Sequence, residues 1–264
     1  MNNAKKILLT GGAGYIGSHT AVELIQQGFE IVIADDLSRS EARIIEGIGR
    51  ITGQKINFHK GDCNDSLFIN DVFKKESIDS VIHFAAYKSV NESVDLPLLY
   101  YQNNLGSMIN LLNAMKKHQI NKFIFSSSCT VYGQPDEIPV DENAAFKKAE
   151  SPYGATKQMC ERILEDTVNS DKDLKVISLR YFNPVGAHPS SLIGELPIGT
   201  PTNLIPYITQ TAAGVREKLT VFGCDYDTQD GSCVRDFIDV DDLAKAHVQA
   251  LKSIEKISDR KSVV

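Results

Sequence analysis

The chain has 264 residues, of which 42% are hydrophobic and 23% charged, and its formal net charge is −6. This length is enough to bury a full hydrophobic core, and the acidic balance gives no electrostatic reason to expect a nucleic acid or an anionic membrane as partner. No apolar run reaches the roughly 18 residues that a membrane-spanning helix needs.

Apolar runs and turn signals alternate along the first two thirds of the chain. Short apolar runs predict buried strands at residues 6–10, 30–35, 56–59, 80–84, 122–127 and 175–180. Helical spacing predicts helices at residues 16–27, 66–75, 97–118 and 153–169. Such alternation is typical of βαβ units, which build a parallel sheet with helices on both faces. We therefore predict an α/β fold with a doubly wound, parallel-sheet Rossmann domain.

The remainder of the chain has a different texture. Residues 184–234 are rich in glycine and proline with little periodicity, which predicts an irregular cap where substrate specificity is built. A strand at residues 234–240 and a helix at 241–252 follow. We expect a Rossmann domain at residues 1–182, to which 234–252 return, and a smaller substrate domain at 183–264.

A glycine-rich turn follows the first predicted strand. Gly11, Gly14 and Gly17 stand in TGGAGYIG, directly before a helix. This spacing allows a tight turn and close approach to a pyrophosphate, which the helix N-terminus attracts. Asp35 ends the next strand, where a carboxylate accepts ribose hydroxyls and repels a 2′-phosphate, so NAD is favoured over NADP. Arg39 could receive a 2′-phosphate, although a solvated loop arginine is the simpler interpretation.

Three residues suit proton transfer at a hydroxyl carbon. Tyr153 and Lys157 stand four apart on a predicted helix and share one face, and Ser128 follows a predicted strand. A free tyrosine has a pKa of about 10, so a base working near neutrality needs a shift of roughly three units. The Lys157 cation and a nicotinamide cation would both favour the phenolate, and Ser128 could hold the substrate hydroxyl.

These motifs resemble those of the extended short-chain dehydrogenase/reductase superfamily, in the segments TGGAGYIGSH, FSSSCTVYG and SPYGATK. Other segments resemble the UDP-glucose 4-epimerase family, namely VIHFAAYKSVNESV, YYQNNLGS, RYFNPVGAHPS, PTNLIPYI and VRDFIDVDDLA. The resemblance extends from residue 7 to about residue 250, nearly the whole chain.

The resemblance implies roles for individual residues. Tyr153 would be the acid/base, Lys157 would bind the nicotinamide ribose, and Ser128 would contact the substrate hydroxyl. NAD would be held by the glycine turn and by Tyr15, Ile16, Asp35, Asp62, Lys88, Asn103, Tyr153, Lys157 and Tyr181. The UDP-sugar would be held by Ser128, Tyr153, Asn183, Asn203, Leu204 and Arg235, with Arg235 beside the diphosphate. No metal is implied. Taken without the resemblance, Asp62 could accept a hydrogen bond from the adenine amino group or serve only as a turn residue. Asn183 would then be a turn former, and Lys88 and Arg235 would be solvated charges.

The implied reaction is NAD-dependent epimerisation of UDP-glucose and UDP-galactose at C4 through a 4-keto intermediate. Family members continue for several dozen residues, and SIEKISDRKSVV after Lys252 differs from the glycine-containing strand they have next, so we expect an incomplete substrate domain. A related enzyme acting on UDP-glucuronate and a non-catalytic NAD-binding homologue stay open. A 4,6-dehydratase is disfavoured because Cys129 and Thr130 stand where those enzymes carry an Asp-Glu pair.

The family also implies how the chain assembles. Its members pair as homodimers through the helices that correspond to residues 103–118 and 153–169, so we expect a homodimer.

The cysteines form an odd set without a CxxC pair, and residues 1–10 lack the apolar core of a signal peptide. Both features favour a reducing, cytoplasmic location.

Overall fold

The strands alternate with helices along the chain of the computed structural model, which describes residues 5–256 and the backbone of residues 260–263. The strands are β1 (Lys6–Thr10), β2 (Glu30–Asp35), β3 (Asn57–Lys60), β4 (Ser80–His83), β5 (Lys122–Ser126), β6 (Lys175–Leu179), β7 (Asn183–Val185), β8 (Phe237–Asp239) and β9 (Arg260–Val263). The α-helices are α1 (Tyr15–Gln26), α2 (Arg43–Thr52), α3 (Ser66–Lys75), α4 (Val90–Asp95), α5 (Pro97–Lys117), α6 (Pro152–Ser170), α7 (Leu204–Ala212) and α8 (Val240–Ser253).

The main sheet is parallel throughout and has the order β3-β2-β1-β4-β5-β6-β9. The strand order reverses between β1 and β4, and ligands of open α/β sheets bind beside such a reversal, at the carboxyl ends of the strands. The short strands β7 and β8 form a separate parallel pair.

Two apolar clusters cover the two faces of the sheet. Side chains of a strand point alternately to opposite faces, so Leu8 lies in one cluster while Ile7 and Leu9 lie in the other. Helices α3, α5 and α6 pack on the first face, and α1, α2 and α8 on the second. The predicted doubly wound fold is confirmed.

The predicted elements agree with the structure most closely in the sheet. Strands β1 and β2 and helix α3 have the predicted bounds, and the other predicted strands of the first 182 residues shift by one residue at most. Helices α2 and α4 were not predicted, and the prediction of an irregular segment at 184–234 missed α7. The polar residues after Lys252 include β9, which pairs with β6.

Within the part of the chain that the structure describes, no helix is both long and apolar enough to cross a membrane.

Candidate active site

The glycine turn leads from β1 into α1 and leaves no room for side chains at two positions. Gly11 has a φ of +73°, and a Cβ there would lie 2.5 Å from the backbone nitrogen of Ala85. At Gly17 a Cβ would lie 2.6 Å from the carbonyl oxygen of Gly11. Helix α1 begins after Gly14 without a side-chain cap. The turn therefore offers a smooth backbone and an uncapped helix N-terminus, which fit a pyrophosphate.

Asp35 closes the turn from the neighbouring strand. Its carboxylate accepts hydrogen bonds from the backbone of Ala13 (3.0 Å) and Leu37 (2.9 Å) and from the Ser40 hydroxyl (2.9 Å). Burial raises the pKa of this carboxyl, while the three donors oppose that shift. A carboxylate has about four lone-pair positions, so one stays available to a ribose hydroxyl. Asp35 thus both shapes the turn and can recognise a ribose.

The Arg39 guanidinium is held by protein groups. It donates a 2.7 Å hydrogen bond to Glu92 and lies 4.7 Å from the centroid of the Tyr87 ring. The Glu92 contact raises the pKa of Arg39. A 2′-phosphate would have to compete with Glu92 for this cation, which favours the simpler interpretation of Arg39 as a loop residue.

A chain of amides connects Asp62, after β3, with helix α5. Asp62 accepts two hydrogen bonds from Asn64, whose side-chain amide also donates to Asn103 at 3.0 Å. Asn103 in turn donates to Asn104 at 3.0 Å. Asn104 is buried, accepts from the backbone N–H of Tyr87 and donates to the Tyr87 carbonyl. The candidate residues Asp62 and Asn103 therefore belong to one network at the carboxyl edge of the sheet.

Glu195 joins two candidates that the sequence treats separately, Lys88 and Asn203. The Lys88 ammonium donates to Glu195 at 3.3 Å, and the Asn203 amide donates to the same carboxylate oxygen at 2.6 Å. Glu195 also contributes to raising the pKa of Tyr15, after burial as the main cause. Glu195 could not be predicted from sequence, because an acidic residue in a loop carries no distinctive pattern.

Tyr153, Lys157 and Ser128 meet at the carboxyl end of β5. Helix α6 begins at Pro152 with the Ser151 hydroxyl as its cap, so Tyr153 lies in the first turn and Lys157 one turn later. The Lys157 ammonium is buried and lies 5.9 Å from the centroid of the Tyr153 ring. Ser128 is buried and lies near Tyr153, where it opposes the larger effect by which burial raises the tyrosine's pKa. The predicted grouping of these three residues therefore exists in the fold.

Burial acts on both ionisable members of this group. It raises the pKa of Tyr153, and Tyr181 adds to the increase. Burial lowers the pKa of Lys157 to about 8, although Cys160 and Glu161 oppose the shift. Within the protein alone the tyrosine is thus held in its neutral form, and a phenolate needs additional positive charge.

Tyr181 lies at the same edge, where its hydroxyl and that of Ser126 share a 2.5 Å hydrogen bond. Asn183 is exposed and donates its amide proton to the carbonyl of Asp236 at 2.8 Å. Arg235 is exposed, and its guanidinium donates a hydrogen bond to the carbonyl of Val234. Leu204 is the exposed first residue of α7.

Sequence reasoning missed a buried ion pair behind the site. Arg180 follows β6 and pairs through two hydrogen bonds with Glu161 on α6 (2.9 and 2.8 Å). Glu161 also accepts a 2.7 Å hydrogen bond from the Ser127 hydroxyl. Two signals in the sequence could have found the pair: Glu161 repeats the four-residue spacing from Tyr153 to Lys157, and Arg180 is a charge beside an apolar strand.

The fold and this edge of the sheet define a dinucleotide-binding α/β protein of the short-chain dehydrogenase/reductase class. The sequence profile of the NAD dependent epimerase/dehydratase family matches residues 7–264, and the chain belongs to this family.

Individual UDP-glucose 4-epimerases are similar to nearly the whole of this chain. The chain is 52% identical to a UDP-glucose 4-epimerase of Dictyostelium discoideum over 94% of this chain and 72% of that protein. It is 51% identical to a UDP-glucose 4-epimerase of Bacillus subtilis, over 94% of this chain and 73% of the relative. The crystal structure of the UDP-glucose 4-epimerase from Bifidobacterium longum in complex with NAD+ and UDP superposes with a TM-score of 0.94. At 44% identity, the match covers 98% of this chain and 77% of that one.

Proposed function

We propose that this chain is a UDP-glucose 4-epimerase, which interconverts UDP-glucose and UDP-galactose through a 4-keto sugar and so serves galactose metabolism. The observation that carries the proposal is that Tyr153, Ser128 and the Lys157 ammonium lie together at the same sheet edge as the glycine turn. Relatives at about half identity bear the same activity in their names.

The glycine turn fits NAD, because a Cβ at Gly11 or Gly17 would fill the space beside the uncapped helix. Asp35 would hold the adenosine ribose, and Asp62, Lys88, Asn103 and Tyr181 would line the rest of the site with Tyr15 and Ile16. Bound NAD would supply a hydride acceptor and donor for C4 and the positive charge of its nicotinamide.

Tyr153 removes the proton of the 4-hydroxyl in this proposal and later gives it back. Ser128 is oriented for the task, since its oxygen accepts hydrogen bonds from the backbone N–H (3.2 Å) and hydroxyl (3.0 Å) of Thr130. With its acceptor positions occupied, the Ser128 hydroxyl proton is directed elsewhere and stabilises either a phenolate at Tyr153 or the substrate oxygen. Lys157 supplies a nearby cation. Together these groups offset the burial that raises the Tyr153 pKa.

The nucleotide part of the substrate would lie between Asn183, Asn203, Leu204 and Arg235. Of these, Arg235 is the suitable partner for a diphosphate, because a guanidinium forms paired, charge-assisted hydrogen bonds with phosphate oxygens. Its guanidinium donates a 2.7 Å hydrogen bond to the carbonyl of Val234, and its other N–H donors can turn to a ligand.

A 4,6-dehydratase is the less favoured reaction. Removal of water at C6 requires an acid and a base next to the serine, and Cys129 and Thr130 occupy those positions. Burial raises the pKa of the Cys129 thiol, and the Thr130 hydroxyl is already bonded to Ser128. Neither group is suited to proton transfer at C6, so simple epimerisation fits better.

We also infer a homodimer in the cytoplasm. Leu98 and Ile109 on α5 and Met159 on α6 are exposed apolar side chains on the two helices expected to pair. Light scattering at micromolar concentration should give twice the monomer mass, and a monomer mass would contradict this assembly. The cytoplasmic location stays a prediction from the cysteine pattern.

The proposed activity is tested by incubating the purified chain with UDP-galactose and NAD and coupling UDP-glucose formation to UDP-glucose dehydrogenase. Tyr153→Phe should lose at least about a hundredfold in turnover, the usual contribution of a general acid/base. Tyr226→Phe, at an exposed tyrosine, is the matched control. Turnover of UDP-glucuronate instead would assign the related substrate. A folded, NAD-loaded chain without turnover would be a non-catalytic homologue.

A further inference from the structure

One face of α6 is tied at successive turns to consecutive residues at the end of β5. The Lys157 ammonium donates to the carbonyl of Ser126 at 2.8 Å. One turn later, the Glu161 carboxylate accepts from the hydroxyl of Ser127 at 2.7 Å. These bonds fix how α6 sits along β5.

The same face and the same segment carry the reacting groups. Tyr153, one turn before Lys157, lies near Ser128, which follows Ser127 in the chain. Because residues four apart share a helix face, a slide of α6 against β5 would move Tyr153 relative to Ser128. A displacement of about 1 Å at a reacting group can cost a hundredfold in rate.

Of the Lys157 and Glu161 side chains, that of Glu161 is held more firmly by neighbouring groups. Its side chain is 0% exposed and that of Arg180 is 4% exposed, and the pair is bidentate. Arg180 is anchored further by the Tyr132 hydroxyl (3.1 Å) and the carbonyl of Glu142 (3.2 Å). A buried ion pair is commonly no more stabilising than an apolar replacement, since both charges lose their hydration. Stability alone therefore does not account for a carboxylate at this position.

We propose that Glu161 is a positioning residue of the reaction, which connects Ser127 on one side and Arg180 on the other so that Tyr153, Lys157 and Ser128 keep their geometry. The inference rests on the proposed function. Glu161 has a second effect, because its negative charge opposes the burial that lowers the pKa of Lys157. The other titratable groups around this ammonium are Tyr153 and Cys160 on α6 and His83 on β4.

The test compares Glu161→Gln and Ser127→Ala with Leu164→Ala, a buried α6 residue outside the network. Glu161→Gln should lower kcat at least about tenfold with little change in KM, because the reacting groups are displaced after the substrate binds. Ser127→Ala keeps the ion pair intact and should lower kcat less. In Leu164→Ala the melting temperature should fall, whereas kcat should stay near that of the wild type.

A second readout does not depend on turnover. The Lys157 pKa is measured by NMR on protein labelled with ¹³C at the lysine ε-carbons, with Lys157→Arg for assignment. Glu161→Gln should lower this pKa, since a neutral amide no longer stabilises the ammonium, and the alkaline limb of the kcat profile should move to lower pH. An unchanged Lys157 pKa together with wild-type kcat would overturn the positioning role. If the wild type itself lacks turnover, the proposed function fails, and the Lys157 pKa still decides the role of Glu161.

Discussion

The ammonium of Lys157 donates a 2.8 Å hydrogen bond to the backbone carbonyl of Ser126, and this bond crosses from α6 to the end of β5. It holds a cation in a buried position, 4.7 Å from the centroid of the Phe125 ring. Burial lowers the pKa of this ammonium to about 8, from a usual 10.5. The fold therefore contains a buried charge beside Tyr153 that lowers its stability, as is common for functional groups.

Lys157→Met should stabilise the chain at neutral pH while it abolishes turnover. The folded chain holds the Lys157 proton less tightly than the unfolded chain, so the charge destabilises the fold below about pH 8. This penalty disappears as the pH rises from about 8 to 10.5. We expect a gain of about 2 kcal/mol at pH 7, allowing for the lost hydrogen bond, and no gain near pH 10.5. Urea denaturation at both pH values measures it, and a loss of stability at pH 7 would contradict the account.

Gly11→Ala should weaken NAD binding far more than Gly28→Ala. Both glycines have positive φ angles, +73° and +83°, so alanine strains the backbone at each. A Cβ at Gly11 meets the backbone of Ala85 at 2.5 Å, whereas at Gly28 nothing lies within 4 Å. We expect at least about a tenfold loss of NAD affinity for Gly11→Ala alone, since the turn must shift. Calorimetric titration with NAD measures it, and equal affinities for the two variants would refute the role of the turn.

Acid should destabilise the chain through His247, which lies fully buried between Phe84 and Tyr181. Burial lowers its pKa to about 4, so the unfolded chain binds the proton more tightly. The free energy of unfolding therefore falls by about 3 kcal/mol as the pH decreases from about 6.5 toward 4. His247→Leu should lose less stability than wild type between pH 7.5 and 4.5 in urea denaturation. Val248→Ala is the control. If His247→Leu loses as much stability between pH 7.5 and 4.5 as Val248→Ala does, His247 is not the cause of the loss.

Arg235→Gln should raise KM for UDP-galactose and leave NAD affinity unchanged. A charge-assisted hydrogen bond to a diphosphate contributes about 1.5–3 kcal/mol, which corresponds to roughly ten- to a hundredfold in KM. Arg216→Gln is the matched control, because Arg216 is held by Gln210 and the Tyr207 ring. If steady-state kinetics give the two variants the same KM, Arg235 does not hold the diphosphate.

The sheet was predictable from sequence because its strands are buried on both faces and read as continuous apolar runs, such as KILLT and EIVIAD. The helix bearing Tyr153 and Lys157 was predictable from its spacing. In contrast, α2 is not predicted although Ile44, Ile48 and Ile51 follow helical spacing, because Gly47 and Gly49 lower the helix propensity of the segment. Helix α7 lies in a segment whose apolar residues, such as Leu204 and Ile208, are exposed. Periodicity is a weak signal where little apolar surface is buried.

Within the site, the sequence predicted which residues come together but not what holds them. The bond from Ser127 to Glu161 and the bridge of Glu195 between Lys88 and Asn203 join distant parts of the chain. Neither follows from local spacing. The effect of burial, which raises the Tyr153 pKa, could not be predicted from sequence because it depends on tertiary packing around the ring.

The most direct test of C4 epimerisation uses UDP-galactose with deuterium at C4, incubated with the NAD-loaded chain in ordinary water. Since the hydrogen that leaves C4 returns to C4 on the opposite face, C4 epimerisation should give UDP-glucose that retains the deuterium. Mass spectrometry and proton NMR of the product measure the label. UDP-glucose that carries a solvent hydrogen at C4, or no UDP-glucose at all, would contradict the account.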